Sequence, residues 1–298
     1  MTIEADIAAL PPLKDIIRTY KLDARRKLGQ NFLLDLNLTG RIAREAMINP
    51  DQTVIEIGPG PGGLTRAILM AGAKHVIAIE KDSRAIAALQ PLVEASLGRL
   101  EIMEADALDV AIHECGGNDQ PRQIIANLPY NIATPLLMGW LDHCKSFSSL
   151  TLMFQREVAE RITASPNTNT FGRLSIICQW LTKTQHCFDI PPSAFVPPPK
   201  VTSSVVRLVP FDKPQFAAKQ EQLQLVAKTA FNQRRKMLRA SLRALGGQRL
   251  LDHANINGER RPEQLNIAEF CAIANALNYV GANRGANQGA NRGDNQGD

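Results

Sequence analysis

Cysteine is scarce in this chain, and Cys115, Cys144, Cys178, Cys187 and Cys271 include no C-x-x-C pair. That pattern argues against a disulfide-built scaffold and makes a reducing cytoplasm the expected compartment. No apolar run approaches the roughly 20 residues that a bilayer-spanning helix needs, so no membrane association is expected. Met1 to Leu10 carries Glu4 and Asp6 and lacks an apolar core behind a basic end, so it does not read as a secretory signal. Histidine is equally sparse. The five residues include no H-x-x-x-H spacing, and His143-Cys144 and His186-Cys187 are isolated dipeptides that read as packing residues. No metal is therefore expected, and nothing marks any Cys as an activated nucleophile.

Acidic residues are missing from one window. Between Lys228 and Arg249 stand Lys228, Arg234, Arg235, Lys236, Arg239, Arg243 and Arg249, with no Asp or Glu among them. The chain of 298 residues has 34 Lys+Arg and 29 Asp+Glu, a formal charge of +5. Removing those seven leaves 27 basic against 29 acidic residues, a net of −2, so the basicity belongs to one segment. A second cluster, Lys14, Arg18, Lys21, Arg25, Arg26 and Lys27, has only Asp15 and Asp23 beside it. Any single charge reads as part of a solvated helix face. Two concentrated clusters suit a polyanion, and point to nucleic acid.

What remains is an ordinary globular composition, 44% hydrophobic and 21% charged. From Thr53 onward, short apolar runs alternate with amphipathic stretches. Strands are expected at 53–57, 75–80, 100–104, 123–126, 150–154, 184–188 and 201–209. Helices are expected at 63–71, 83–96 with Ser83 as N-cap, 134–144 with Pro135 in the first turn, 156–164 and 171–182. Buried strands alternating with helices imply an α/β fold, a Rossmann-like, mostly parallel sheet covered on both faces. The turn through Pro191–Pro199 is too short for a helical crossover, so one antiparallel strand is expected at the end. Helical signals at 215–245 and 268–278, without strands, predict a small all-α C-terminal domain. The expected organisation is a basic lead-in at 1–25, an α/β domain at 26–211, a helical RNA-binding domain at 212–280 and a disordered tail at 281–298. That tail is a degenerate G-x-N-x repeat without a large apolar residue.

Glu56-Ile-Gly-Pro-Gly-Pro-Gly-Gly-Leu-Thr65 follows the first of these strands and opens a helix. Gly58, Gly60 and Gly63 satisfy the dinucleotide fingerprint, whereas Gly58, Gly60 and Gly62 satisfy the loop of adenosylmethionine-dependent methyltransferases. Both templates want an acid at the end of the next strand, and Glu80 is there. Asp106, just beyond the third strand, is an acceptor for an adenine amino group or a plain helix N-cap. Asn127-Leu-Pro-Tyr130 directly follows the fourth strand. An exocyclic adenine nitrogen is a poor nucleophile, because its lone pair is delocalised into the ring. A site that accepts both N–H hydrogens frees that lone pair. Asn127 offers a side-chain carbonyl and Leu128 a backbone one, which Pro129 helps to aim. Tyr130 offers a ring for the base to stack on, worth ~1–3 kcal/mol.

With these motifs in place, the chain resembles the ribosomal RNA adenine N6-dimethyltransferases, in particular their bacterial small-subunit branch. The likeness runs from Arg26 to about Leu277. Lys27-Leu-Gly-Gln-Asn-Phe-Leu33 is similar to the family's opening motif, Phe154-Gln-Arg-Glu-Val-Ala-Glu-Arg-Ile162 to the segment after strand five, and Pro192 to Ser203 to its Pro-rich element. Phe231 to Arg239 resembles the start of its helical domain. The resemblance implies S-adenosyl-L-methionine as cofactor, held by Asn31, Leu33, Gly58, Gly60, Glu80, Asp106 and Asn127. It implies Asn127, Leu128, Pro129 and Tyr130 at the target base. Phe195 is either a second aromatic wall there or a core aromatic in a Pro-rich turn. Arg234, Arg235, Lys236, Arg239 and Arg243 would meet RNA, with Arg235, Arg239 and Arg243 on one helix face and Phe231, Leu238, Leu242 and Leu245 on the other. The implied reaction dimethylates two adjacent adenines in the hairpin loop near the 3′ end of 16S rRNA. The implied substrate is 16S rRNA in an immature 30S subunit, and a monomer is the expected state. Two features depart from the pattern: the lysine-free loop at 165–170, and the Gly/Asn tail.

Three other readings stay open from the residues. A relative that methylates large-subunit rRNA shares the chemistry, though its four-residue motif more often has Ile second and Phe last. A pure assembly factor would need none of Gly58, Glu80, Asp106 and Asn127. An NAD-dependent oxidoreductase accounts for the glycines and leaves Asn127–Tyr130 unexplained.

Overall fold

The computed structural model describes residues 3–22, 31–117 and 121–289, with side chains as far as 279. Arg25, Arg26 and Lys27 of the N-terminal cluster, residues 27–30 of the opening motif and the end of the tail lie outside the described residues. The described residues of Met1–Ala159 and Thr182–Asp212 form one compact unit, and those of Glu160–Leu181 and Lys213–Asp298 a second. A single cut near 212 therefore misses 160–181, which belongs with the C-terminal helices.

The first unit opens with α1 (Ile3–Ala8), α2 (Leu13–Thr19), the two-residue strand β1 (Phe32–Leu33) and α3 (Leu36–Glu45). Alternation then sets in: β2 (Thr53–Ile57), α4 (Gly63–Met70), β3 (His75–Glu80), α5 (Ser83–Ala95), β4 (Leu100–Glu104), β5 (Arg122–Asn127), α6 (Tyr130–Asp142), β6 (Phe147–Gln155) and α7 (Arg156–Ile162). After α8 (Arg173–Leu181) come β7 (Thr182–Ile190), β8 (Phe195–Val196) and β9 (Ser203–Pro210). Seven strands form one sheet in the order β4-β3-β2-β5-β6-β9-β7. Only β9 runs against its neighbours β6 and β7, so the sheet is mostly parallel with one antiparallel strand. Val54, Ile55, Ile57, Val76, Ala78 and Ile124 are each at most 2% exposed, as a sheet covered on both faces requires.

The chain starts this sheet at β2, builds outward to β4, returns through β5 and builds the other way. The reversal lies between β2 and β5, and a crevice is expected beyond the carboxyl ends of those two strands. The glycine loop leaves one of them and Asn127-Leu-Pro-Tyr130 the other.

Three local expectations change. The N-cap of α5 is Asp82, whose Oδ1 accepts from the Arg84 N–H at 3.1 Å, and Ser83 is the first helical residue. Helix α6 begins at Tyr130, so Pro135 lies inside it. Pro129 supplies the entry: its φ of −57° suits a helix start, and its carbonyl accepts from Ile132 and Ala133 at 3.1 Å. A second, two-stranded sheet pairs Phe32 with Val196 and Leu33 with Phe195, antiparallel.

The second unit takes in the end of α7 with α8, α9 (Gln220–Asn232), α10 (Leu238–Ser241), α11 (Gln248–His253) and α12 (Ile267–Gly289). Residues 160–181 join it through Trp180, whose indole N–H donates to the Phe216 carbonyl at 2.7 Å and whose own carbonyl accepts from Gln215 at 3.0 Å. Phe171 meets Phe231 edge-on at 6.3 Å, and Phe231 stacks on Phe270 at 5.8 Å. The single helix expected across 215–245 is broken between Asn232 and Leu238. Competing backbone bonds explain the break: Leu238 N–H donates to Arg260 at 2.8 Å and Arg239 N–H to Gly258 at 3.0 Å. The last helix continues to Gly289, into the segment expected to be disordered, because extending a formed helix is far easier than starting one.

Candidate active site

Beyond β2 and β5 lies a cleft whose lining includes Asn31, Leu33, Gly58, Gly60, Glu80 and Asp106 together with Asn127, Leu128, Pro129 and Tyr130. Residues spread over about 100 positions of sequence thus converge. Gly58, Gly60 and Gly62 all have positive φ, at 67°, 54° and 86°, whereas Gly63 is ordinary helix. The left-handed positions therefore follow the G-x-G-x-G spacing. At Gly60 a side chain is excluded twice, by φ and by the Phe32 ring, which would stand 3.0 Å from a Cβ. At Gly58 the space a Cβ would fill is open, so backbone faces the cleft directly.

Glu80 ties this loop to the sheet. Its Oε2 accepts from Gly60 N–H at 3.2 Å, and its Oε1 accepts from the N–H groups of Lys81 at 2.8 Å and Asp82 at 2.9 Å. Asp106 accepts from Leu108 N–H at 3.1 Å and from Lys81 Nζ at 3.0 Å. The Leu108 bond first, and then Lys81, hold its carboxyl below the usual carboxylate range. It is an acceptor at neutral pH.

Asn127 ends β5 half-buried, and its Nδ2 donates to the Asn31 carbonyl at 3.4 Å. That contact turns the side-chain oxygen away from Asn31. Tyr130 is the first residue of α6. Its hydroxyl meets Ser203 Oγ at 2.6 Å, and burial pushes the phenol above its ordinary range despite that bond. It is protonated at neutral pH and no base.

Phe195 departs from the expected aromatic wall. It is 2% exposed, does not line the cleft, and packs in the apolar core with its backbone paired to Leu33. The basic residues also divide. Arg234 donates to the carbonyls of Thr168 and Asn169 and lies 3.9 Å from Glu263, so it braces its own unit. Arg239 pairs with Glu259 at 3.6 Å, while Arg235, Lys236 and Arg243 are exposed. Because of the helix break, Arg235 shares no helix face with Arg239 and Arg243.

Sequence reasoning overlooked Glu56, although a lone acid inside an apolar strand is a signal. It is 1% exposed beneath the cleft. Burial pushes its carboxyl up to about 8, the Thr65 hydroxyl tempers this, and the charge of Glu80 adds to it. Neither Glu56 Oε2 nor Thr65 Oγ1 makes a well-formed hydrogen bond. The folded protein thus holds a proton there that the unfolded chain gives up near pH 4.5. The stability this contributes is present below pH 4.5 and is lost as pH rises through about 8. Glu56→Gln is expected to remove that loss, so its Tm should exceed the parent's at pH 8.5 and approach it at pH 5. An equal Tm difference at both pH values would refute a neutral Glu56.

Among the described residues, no group of three or more His, Cys, Asp or Glu side chains is placed to hold a metal ion, and no helix is long and apolar enough to cross a membrane. A seven-stranded sheet in the order β4-β3-β2-β5-β6-β9-β7 with β9 antiparallel, carrying a glycine loop after β2 and an acid closing β3, is the fold of a class I methyltransferase. Solved structures agree: a dimethyladenosine transferase from Plasmodium falciparum is similar with a TM-score of 0.73 and 26% identity, over 83% of this chain and 97% of that one. The 23S rRNA methyltransferase ErmE is similar with a TM-score of 0.65 and 25% identity, over 83% of this chain and all of that one. Ribosomal RNA small subunit methyltransferase A of Rhodospirillum rubrum is 52% identical over 289 residues, 95% of this chain and 100% of the relative. Its namesake in Rhizobium johnstonii is 53% identical over 276 residues, 92% of this chain and 100% of the relative. The family model described as ribosomal RNA adenine dimethylase matches residues 21–279, and the chain belongs to that family. Its reaction is methyl transfer from S-adenosylmethionine to adenine in ribosomal RNA.

Proposed function

We propose that this protein dimethylates N6 of two adjacent adenines in the 3′-terminal hairpin loop of 16S rRNA, acting as a cytoplasmic monomer on an immature 30S subunit. The observation that carries the reading is the convergence of Asn127–Tyr130 with the glycine loop in one cleft. The likeness to relatives named for the small ribosomal subunit supports the substrate.

The cleft suits S-adenosylmethionine. The open face of Gly58 leaves room for a ligand against backbone, and Glu80 and Asp106 present carboxylate acceptors beside it. Asn31, Leu33, Gly58, Gly60, Glu80, Asp106 and Asn127 would hold the cofactor. When bound, it supplies an electrophilic methyl group on a sulfonium. Asn127 Oδ1 and the Leu128 carbonyl would accept the two N6 hydrogens of the target adenine, leaving the nitrogen lone pair free to react. Tyr130 would stack on the base once it is splayed from its RNA stack. The work of these residues is alignment, and no side chain has to remove the proton, which can leave to water after transfer. The exposed Arg235, Lys236 and Arg243, with Arg239, would meet RNA phosphates.

The test is methyl transfer from labelled adenosylmethionine to small subunits from cells lacking this modification, followed by nucleoside mass spectrometry. N6,N6-dimethyladenosine in the 3′-terminal hairpin is the expected product. Label in large-subunit RNA alone would assign the chain to the other substrate class. Binding without transfer to either would leave an assembly role only.

A further inference from the structure

The Pro-rich element ends in Val201-Thr-Ser203, and the reaction as described does not use it. Ser203 is the first residue of β9, its backbone paired with Gln155 of β6 on one side and Ile190 of β7 on the other. Its side chain is fully buried, and its hydroxyl lies 2.6 Å from the Tyr130 hydroxyl. Tyr130 lines the cleft, and its backbone follows Pro129, whose ring fixes φ. The aromatic ring is thus held at both ends, by the helix start at Cα and by β9 at the para oxygen. A ring held only at Cα would turn about two side-chain torsions and swing across the cleft.

We propose that Ser203 is a positioning residue for methyl transfer, its hydroxyl clamping the para end of the Tyr130 ring and so fixing where in the cleft the target adenine stacks. The inference rests on the reading of Asn127–Tyr130 as the target-base site. It assigns Tyr130 two separable parts: the ring stacks, and the hydroxyl orients the ring. A splayed base must bring N6 into line with the methyl donor, and a displaced platform moves N6 off that line while leaving the RNA's phosphate contacts untouched. Loss of the clamp should therefore lower kcat and leave KM for the RNA nearly unchanged. One hydrogen bond of ordinary net worth corresponds to a loss of roughly 3- to 10-fold.

The experiment is a double-mutant cycle in the full chain, with methyl transfer to unmodified small subunits as readout and Tm measured alongside. Ser203→Ala and Tyr130→Phe should each lower kcat by that factor, with KM changed less than about twofold. The double variant should be no slower than either single one, because both remove the same contact. Losses that multiply would show Ser203 acting through the strand instead, and overturn the proposal. If Ser203→Ala does not fold, Tyr130→Phe, which leaves β9 intact, still decides: parental kcat would overturn the clamp. Tyr130→Ala separates the two levels. If it methylates normally, the target-base reading itself fails. If it is inactive while Tyr130→Phe runs at parental rate, only the role of Ser203 fails.

Discussion

Asn127→Ala is expected to lower kcat for methyl transfer by about 10²- to 10³-fold, the loss seen when one acceptor or donor aimed at a reacting group is removed from a preorganised site. The residue stands at the carboxyl end of β5, where strand register with Met153 holds its backbone and the Asn31 carbonyl engages its amide nitrogen. Its oxygen is then oriented before any substrate arrives. Alanine removes that acceptor and leaves the N6 lone pair conjugated with the adenine ring. The fold should tolerate the change. The bond to Asn31 is long, at 3.4 Å, and half-exposed, so its loss costs about 0.5–1 kcal/mol at most. Steady-state transfer to unmodified subunits, with RNA affinity measured separately, checks the expectation. A kcat within tenfold of the parent, with unchanged affinity, would remove Asn127 from the chemistry.

Much of that site is legible in one sequence because each part is a local signal. An apolar run, a glycine spacing and an acid at the next strand end name Gly58, Gly60 and Glu80 without long-range information. Asn127-Leu-Pro-Tyr130 stands out in the same way. What escapes is set by distant partners. Phe195 reads equally as a site aromatic or a core aromatic beside prolines, and only its backbone pairing with Leu33, far earlier in the chain, places it in the core. Arg235, Arg239 and Arg243 read as one face until the carbonyls of Arg260 and Gly258 take up the amides of Leu238 and Arg239 at the start of α10. Residues 160–181 lie in sequence between β6 and β7 of the sheet, yet Trp180 bonds to Gln215 and Phe216. Ser203 closes the Pro-rich element, but nothing local marks its hydroxyl, because the partner it meets is 73 residues away.

Glu80 shows how a residue found by motif acquires a second duty from geometry, and its substitution should have the other large effect. The motif that picks it out expects a carboxylate there to accept from the ribose hydroxyls of the cofactor. In the structure its two oxygens already accept three backbone N–H groups, from Gly60, Lys81 and Asp82. A carboxylate has about four lone-pair sites, so one remains for a ligand. Glu80→Gln keeps the shape and removes half of the acceptors. Its amide nitrogen must face either Gly60 N–H or the Lys81 and Asp82 pair, donor against donor. Facing Gly60, it unties the glycine loop; facing the pair, it strands two amides at the start of α5. Leaving one such buried donor unpaired costs about 1–3 kcal/mol. That cost should appear partly as lowered Tm and partly as weakened cofactor binding, because the loop is a structural turn that also lines the cleft proposed to hold the cofactor. The expected result is a 10- to 100-fold rise in Kd for S-adenosylhomocysteine by isothermal titration calorimetry, with RNA affinity unchanged. A Kd within twofold of the parent would mean that the loop holds its left-handed glycines without the tie to β3, and that the ribose does not depend on this carboxylate.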